Sequence, residues 1–190
     1  MKRRFVIKSL FCCIVLPMLV VVLSCKSSET SAERAKKLSN LEITLDSKDF
    51  KIDVNTVYPF NTRATTQVLN QITRNTGNTA NQIMINGYDI TFKNDSVIGE
   101  LPYYGERQLS SSRYNNHLGI ALKDIPQNYS LTKHKKKDAY VIKFNMDDNS
   151  DSVETYNVIM TFYTNETVNI SILSSHRNTI NYRGQLKAIE

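Results

Sequence analysis

From Asp49 to the end of the chain, apolar side chains recur at every second position. Phe50, Ile52 and Val54 alternate with Lys51, Asp53 and Asn55, and Tyr88, Ile90 and Phe92 with Asp89, Thr91 and Lys93. Tyr140, Ile142, Phe144 and Met146 line one side of a further segment. Tyr156, Val158, Met160 and Phe162 line another, and Val168, Ile170 and Ile172 a third. Near the end, Ile180, Tyr182, Gly184, Leu186 and Ala188 alternate with Asn181, Arg183, Gln185 and Lys187. A period of two predicts strands with one face in a core and one in water, the habit of antiparallel sheets. About eight such strands can close as a barrel or stack as a sandwich, and periodicity does not separate the two. The pattern therefore predicts a mainly β fold, a single antiparallel β-barrel or β-sandwich domain.

One helix precedes the strands. Thr30-Ser31-Ala32-Glu33 fits a capping box, in which a hydroxyl and a carboxylate satisfy free amides at a helix start. The helix continues through Ala35, Leu38, Leu41 and Leu45, with its end blurred by the β-branched pair Ile43-Thr44. Asn86-Gly87 has the residues of a tight hairpin turn, since both tolerate positive φ. Lys93-Asn94-Asp95, Asp147 to Asp151 and Thr164 to Thr167 read as further turns. The Thr- and Asn-rich stretch from Asn61 to Asn81 fits a long loop, a short helix around Val68 to Ile72, or an irregular edge strand. No internal repeat or linker divides the chain.

The first 24 residues follow a different logic. Lys2, Arg3, Arg4 and Lys8 make a basic start, followed by an unbroken apolar run from Leu10 to Leu23 with Pro17 in its middle. As a helix that run spans only about 20 Å, short of a bilayer core of roughly 30 Å. Ser24 is small, and Cys25 follows it. Val22-Leu23-Ser24-Cys25 resembles the lipobox of bacterial lipoproteins, in which the leader is cut before a cysteine that carries diacylglycerol and commonly a further acyl chain such as palmitate. The alternatives are an uncleaved signal anchor and a secretory peptide cut elsewhere; length, flanks and cysteine position together favour the lipobox. The expected organisation is a signal peptide over 1–24, cleavage between Ser24 and Cys25, a lipidated tether over 25–30 and a single β-rich domain over 31–190. The expected partner is then the membrane, through a lipid anchor at Cys25, with each buried methylene worth about 0.8 kcal/mol. Lys26 in place of an Asp after the cysteine favours the outer membrane, with the periplasmic or surface face left open.

That reading changes the composition. The chain carries 24 Lys+Arg against 18 Asp+Glu, but four of the basic residues lie in the leader, leaving 20 against 18. The high isoelectric point is thus largely a leader effect and gives no ground for nucleic-acid binding. Cys12 and Cys13 leave with the leader and Cys25 carries lipid, so no disulfide is expected and the fold must rest on its hydrophobic core.

The stretch Asp95 to Arg107, DSVIGELPYYGER, contains the block Leu101-Pro102-Tyr103-Tyr104-Gly105. With Phe50 before it, Ser174 to Arg177 after it and Tyr182-Arg183-Gly184 near the end, it resembles the signature of a family of Bacteroidota lipoproteins known as domain of unknown function 4251. The resemblance covers nearly all of the chain after the leader. It implies a small β-rich domain on a lipid anchor and no particular reaction. Tyr104 stands where that pattern more often has Phe. Read physically, Pro102 ends a strand by removing a ladder donor, Gly105 takes a conformation closed to other residues, and the two tyrosines pack back onto the core. An aromatic ligand platform is the functional alternative. Asp95-Ser96-Val97 and Asp151-Ser152-Val153 resemble Bacteroidota O-glycosylation acceptors at Ser96 and Ser152, although Asp-Ser is also common turn chemistry.

Other chemistry is thin. Asp147 to Asp151 opens like a calcium loop, but Ser152 stands at the glycine position and Val158 at the final glutamate position, so a solvated hairpin turn is the better reading. Lys133 to Lys137 is a basic run that suits a soluble loop or a patch for anionic headgroups. His117, His134 and His176 show no metal-ligand spacing, and no catalytic or phosphate-binding motif is present, so no cofactor, metal or catalytic residue is assigned. Three readings of function stand. The first is a non-enzymatic domain binding a small apolar ligand or an envelope protein, the second a hydrolase or lyase acting on cell-wall or dietary polymers, the third a structural assembly component.

Overall fold

A computed structural model describes residues 30–60, 62–74, 76–108, 119–149 and 153–188. Ser24, Cys25, His117 and Ser152 lie outside the described residues. By its internal contacts the chain divides into residues 1–34 and 35–190. In the first unit the predicted capping box is present. The Thr30 N–H donates to Glu33 Oε2 at 2.9 Å, and the Glu33 N–H donates to Thr30 Oγ1 at 3.3 Å. Helix α1 (Ser31–Asp46) starts there and runs past Ile43-Thr44. Burial of Leu38, Leu41 and Leu45 outweighs the weak helix preference of the β-branched pair, whereas Ala35 and Ile43 are exposed.

The second unit continues with β1 (Phe50–Tyr58), α2 (Arg63–Ile72), β2 (Ile83–Lys93), β3 (Ser96–Leu101), β4 (Ile120–Asp124), β5 (Gln127–Lys133), β6 (Ala139–Asp147), β7 (Thr155–Tyr163), β8 (Thr167–Ser174) and β9 (Ile180–Ala188). All strands join one antiparallel sheet in the order β4-β3-β2-β1-β9-β8-β7-β6-β5. There is no second sheet among the described residues, so the sandwich alternative falls. Nor is a closed barrel formed, since β4 and β5 stand at opposite edges of a curled, open half-barrel. The ambiguous stretch after β1 folds as α2, with Leu69 packed on the core.

The alternation places its apolar residues inward. Phe50, Ile52, Val54, Ile90, Phe92, Ile142, Phe144, Val158, Met160, Phe162, Val168, Ile170, Ile172, Ile180 and Tyr182 are all buried. Phe50 stacks on Phe92 with ring centroids 4.5 Å apart and meets Phe162 edge-on, while Phe92 meets Phe144 edge-on. These rings fill the inner face of the curl, and the buried set runs from Leu38 to Leu186. A chain beginning at residue 26 therefore carries the whole of it.

Two sequence expectations need correction. Asn86-Gly87 is not a hairpin turn but lies inside β2, where Gly87 has φ 80°. Val54 pairs with Tyr88 and Thr56 with Met84, so three residues of β2 lie opposite the single Asn55. Asn55 is itself the extra residue against β9, where Val54 pairs with Gly184 and Thr56 with Arg183. The double irregularity shifts the alternation by one, so Val57 takes the inward place after Val54. Gly105 does not have positive φ either. A side chain there would instead run into the Tyr103 ring, with a Cβ 2.5 Å from the Tyr103 hydroxyl oxygen. The turns at Asn94-Asp95 (φ 50° and 63°) and Glu166 (φ 66°) are as the sequence predicts.

Between the two edges of the sheet the chain passes only through Ile125-Pro126, because β4 runs almost directly into β5. At one end of the gap the Ala121 N–H donates to Asp148 Oδ2 at 3.2 Å, and the Asn149 N–H donates to the Ala121 carbonyl at 2.9 Å. At the other, Lys48 reaches Asp95 Oδ1 at 2.6 Å in the β2–β3 turn and lies 4.9 Å from the centre of the Tyr129 ring on β5. Among the described residues no helix is long and apolar enough to cross a membrane.

Gly184 sits on β9 where a Cβ would lie 2.5 Å from the Asp53 carbonyl oxygen and 3.0 Å from Ile52 Cγ2. The obstructing oxygen belongs to the central strand β1, which is paired on both sides. Gly184→Ala is expected to lower stability by about 1–3 kcal/mol in urea denaturation followed by circular dichroism. An unchanged midpoint would show that the β1–β9 spacing yields freely.

Candidate functional site

The densest cluster of chemistry-bearing side chains lies at the end of the sheet where β3, β6 and β8 finish. Glu154, just before β7, is wholly buried, and two arginines converge on it. Arg177 Nε stands 2.8 Å from Glu154 Oε1, and Arg107 Nη2 stands 3.0 Å from Oε2. The Ser174 hydroxyl donates to Oε1 at 2.6 Å and accepts the N–H groups of His176 and Arg177. Arg177 Nη1 donates to the Gly119 carbonyl at 2.6 Å, and its guanidinium lies 5.2 Å from the centre of the Tyr103 ring. Beside this group, buried Asp148 accepts the Tyr156 hydroxyl at 2.5 Å as well as the Ala121 N–H.

The signature residues meet here. The Tyr103 hydroxyl lies 3.0 Å from the Glu106 carbonyl and 3.1 Å from that of Asn178, and the Tyr182 hydroxyl donates to the Pro102 carbonyl at 3.0 Å. Arg107 and Arg177 form a β-bridge, flanked by Gln108 N–H to His176 O at 2.7 Å and Asn178 N–H to Glu106 O at 3.2 Å. The segment after β3 is thus clamped onto the β8–β9 connection. Leu101 is buried, and Tyr104 is half-buried against the core. Burial pushes the Tyr103 hydroxyl up to about 12, with the Arg177 charge pulling the other way. Tyr156, buried and bonded to Asp148, and Tyr182, buried, are held well above the ordinary tyrosine value.

The motif reading does not single out Glu154, Asp148, Tyr156 or Arg107. A signal for two of them, Glu154 and Asp148, was available, and Ser174 shows the same one. Glu154 is in phase with Tyr156, Val158 and Met160, Asp148 with Phe144 and Met146, and Ser174 with Ile170 and Ile172. A polar residue on the inward phase of a strand needs a partner. Asp148 also corrects the solvated-turn reading of Asp147 to Asp151, since it faces inward between exposed Asp147 and Asn149. Ser96 opens β3 directly after the tight turn, half-buried. The Lys133–Lys137 run forms the exposed β5–β6 connection.

What this cluster can do chemically is limited by its closure. Glu154 and Asp148 spend their oxygens on protein donors, and Arg177 is almost wholly buried. No group of three His, Cys, Asp or Glu among the described residues is placed to hold a metal. Ser175 Oγ contacts the neighbouring His176 Nδ1 at 2.8 Å, but it also accepts the Thr155 N–H, as a turn brace does. Outside the cluster, an open groove of about 490 Å³ crosses β2–β4, lined by Tyr88, Asp89, Ile98, Glu100, Lys123 and Asn149 among others.

The family model for a domain of unknown function, DUF4251, matches residues 32–186. The chain belongs to this family. No curated protein and no solved structure matches it. The match spans α1 to β9 and takes in every residue of the network around Glu154. This DUF4251 chain is thus a β-rich domain with a buried ion-pair network and, among its described residues, no cysteine to form a disulfide.

Glu154→Gln would leave two arginines facing a neutral group in a buried site. It is expected to lower stability by about 3–5 kcal/mol in urea denaturation, and a loss under about 1 kcal/mol would mean that water screens the pair. The raised tyrosines set a second expectation. Tyr103, Tyr129 and Tyr140 move from 10.0 to about 12 in the folded chain, each chiefly through burial. The unfolded chain releases these protons near 10 and the folded chain retains them to about 12. Their stabilising contribution is full below pH 10 and is lost as pH rises through 12. Urea midpoints should fall across that window alongside late tyrosinate absorbance; a flat profile would contradict it.

Proposed function

We propose that this protein is an envelope lipoprotein, held by lipid on Cys25, whose β-domain is a non-enzymatic interaction domain for another envelope component. The observation that carries this reading is the closure of the network. Of the acid and base side chains that lie together, Glu154, Asp148 and Arg177 are buried and Arg107 is a quarter exposed, and all four are bonded to one another or to backbone. They serve to position segments and present no open group to a substrate. The inner face of the curl is filled by Phe50, Phe92, Phe144 and Phe162, which favours a partner's surface over a small apolar ligand inside. The groove across β2–β4, with exposed Ile98 among Asp89, Glu100 and Lys123, has the mixed character of a recognition surface.

The organisation proposed with it is a leader over 1–24, a lipidated tether over 25–30 and one domain over 31–190, displayed from the outer membrane. Ser96 and Ser152 stay proposed O-glycosylation acceptors. Native mass spectrometry of residues 26–190, recovered from the envelope of a producing bacterium, is expected to give the bare or partner-bound mass. A stoichiometric small molecule lost on denaturation would replace the partner reading with a ligand-binding one. Palmitate labelling of the full chain should be strong, and Cys25→Ala should abolish it. Label retained by that variant would place the lipid elsewhere.

A further inference from the structure

The two kinds of basic residue are sorted to opposite ends of the sheet. Of the twelve lysines among the described residues, ten lie at the end that α1 covers. Lys36 and Lys37 are on α1 and Lys48 follows it, while Lys51 is near the start of β1, Lys93 ends β2 and Lys187 is near the end of β9. Lys133 ends β5, and Lys135, Lys136 and Lys137 belong to the β5–β6 connection that follows it. The sequence has no lysine in any connection at the other end (59–82, 102–119, 148–154 and 175–179); arginines stand there instead, including Arg63, Arg74, Arg107 and Arg177. The lysine end also holds eight carboxylates, Glu42, Asp46, Asp49, Asp89, Asp95, Asp124, Asp138 and Glu166, leaving a net of two positive charges. Two of these are paired, Asp95 with Lys48 and Asp89 with Lys51. The stretch from Lys133 to Asp138 is the least compensated part, with four lysines against Asp138, all exposed apart from half-buried His134 beside them.

The sorting has a chemical logic. Arginine's planar fork suits the fixed, buried pairing seen around Glu154, whereas lysine is a mobile point charge on a flexible stem, suited to a fluid layer of phosphates. Residues 37–44 of α1 also lie at this end. Lys37, Asn40, Leu41 and Thr44 of α1 line a groove with Tyr163 to Glu166 of the β7–β8 turn, and Lys137 Nζ lies 5.7 Å from the centre of the Tyr163 ring. Residues 26–30 span at most about 18 Å.

We propose that the α1-covered end is a membrane-facing surface, and that Lys133, Lys135, Lys136 and Lys137 dock on the anionic phospholipid headgroups of the bilayer. The orientation rests on the Cys25 anchor, but the contact itself is tested without it. Residues 26–190, lacking lipid, are sedimented with phosphatidylcholine vesicles and with vesicles containing phosphatidylglycerol. Each lysine near an anionic surface is worth about a fivefold change in binding. Neutralising Lys135, Lys136 and Lys137 together to Gln should weaken binding to the anionic vesicles about a hundredfold, and salt should weaken it too. Arg63→Gln with Arg74→Gln, at the other end, should leave it unchanged. Equal binding to both vesicle types, an equal loss in the arginine variant, or tighter binding to soluble heparin than to anionic vesicles would each overturn the proposal. Failure of the anchor reading would show separately, as absent palmitate label on the full chain.

Discussion

A carboxylate with no access to water must be met on every side by donors, and Glu154 dictates much of this domain through that requirement. Its two oxygens draw together Arg107 from the segment after β3, Ser174 from the end of β8, Arg177 from the β8–β9 connection, and through Arg177 the Gly119 carbonyl ahead of β4. None of those contacts belongs to the sheet's own ladder. The ladder fixes strands; the ion pairs fix what lies between them. A buried pair of this kind contributes little net stability beside an apolar replacement, because desolvating the charges costs about as much as their attraction returns. Its value is in specificity, since any other placement of these segments strands a charge. The signature residues Tyr103, Ser174, Arg177 and Tyr182 gather at this point.

The half-barrel form follows from how its edges are finished. Pro126 offers no N–H between β4 and β5, Asn128 takes φ 53°, and β5 presents mostly polar side chains. The edges touch near Ala121 and Asn149 but are otherwise held together by Lys48 from outside the sheet. At the centre, the irregularity of Asn55 against both neighbours lets β1 bend while keeping Val54 and Val57 in the core.

Much of this was legible in the sequence where one rule decides the outcome. Alternation was enough for β1, β2 and β6 to β9, because each buries one face. It missed β3, β4 and β5, which are short or polar on both sides; their strand form comes from their neighbours. Asn86-Gly87 misled because the same positive φ serves a turn and a bulge, and only the partner strand distinguishes them. Gly105 misled in a similar way, being required by a tyrosine ring two residues earlier and not by its own torsion angles. The network was half visible. The signature pointed to Tyr103 and Arg177, but Glu154 looked like a loop residue until its phase with β7 was considered. Which arginine would reach it depends on a crossing that no local pattern encodes.

The position of β1 has a consequence in time. It is the first strand among the described residues, yet its neighbours are β2 and β9, and Phe50 lies opposite both Phe92 and Ala188. The centre of the sheet cannot be completed until the last strand has left the ribosome. Nearly the whole chain must therefore be available at once, and contacts so distant in sequence form slowly. For most proteins such a delay invites aggregation. For a chain that must be threaded through a membrane before it folds, as the proposed leader requires, a fold that cannot close early keeps the polypeptide extended until it has crossed.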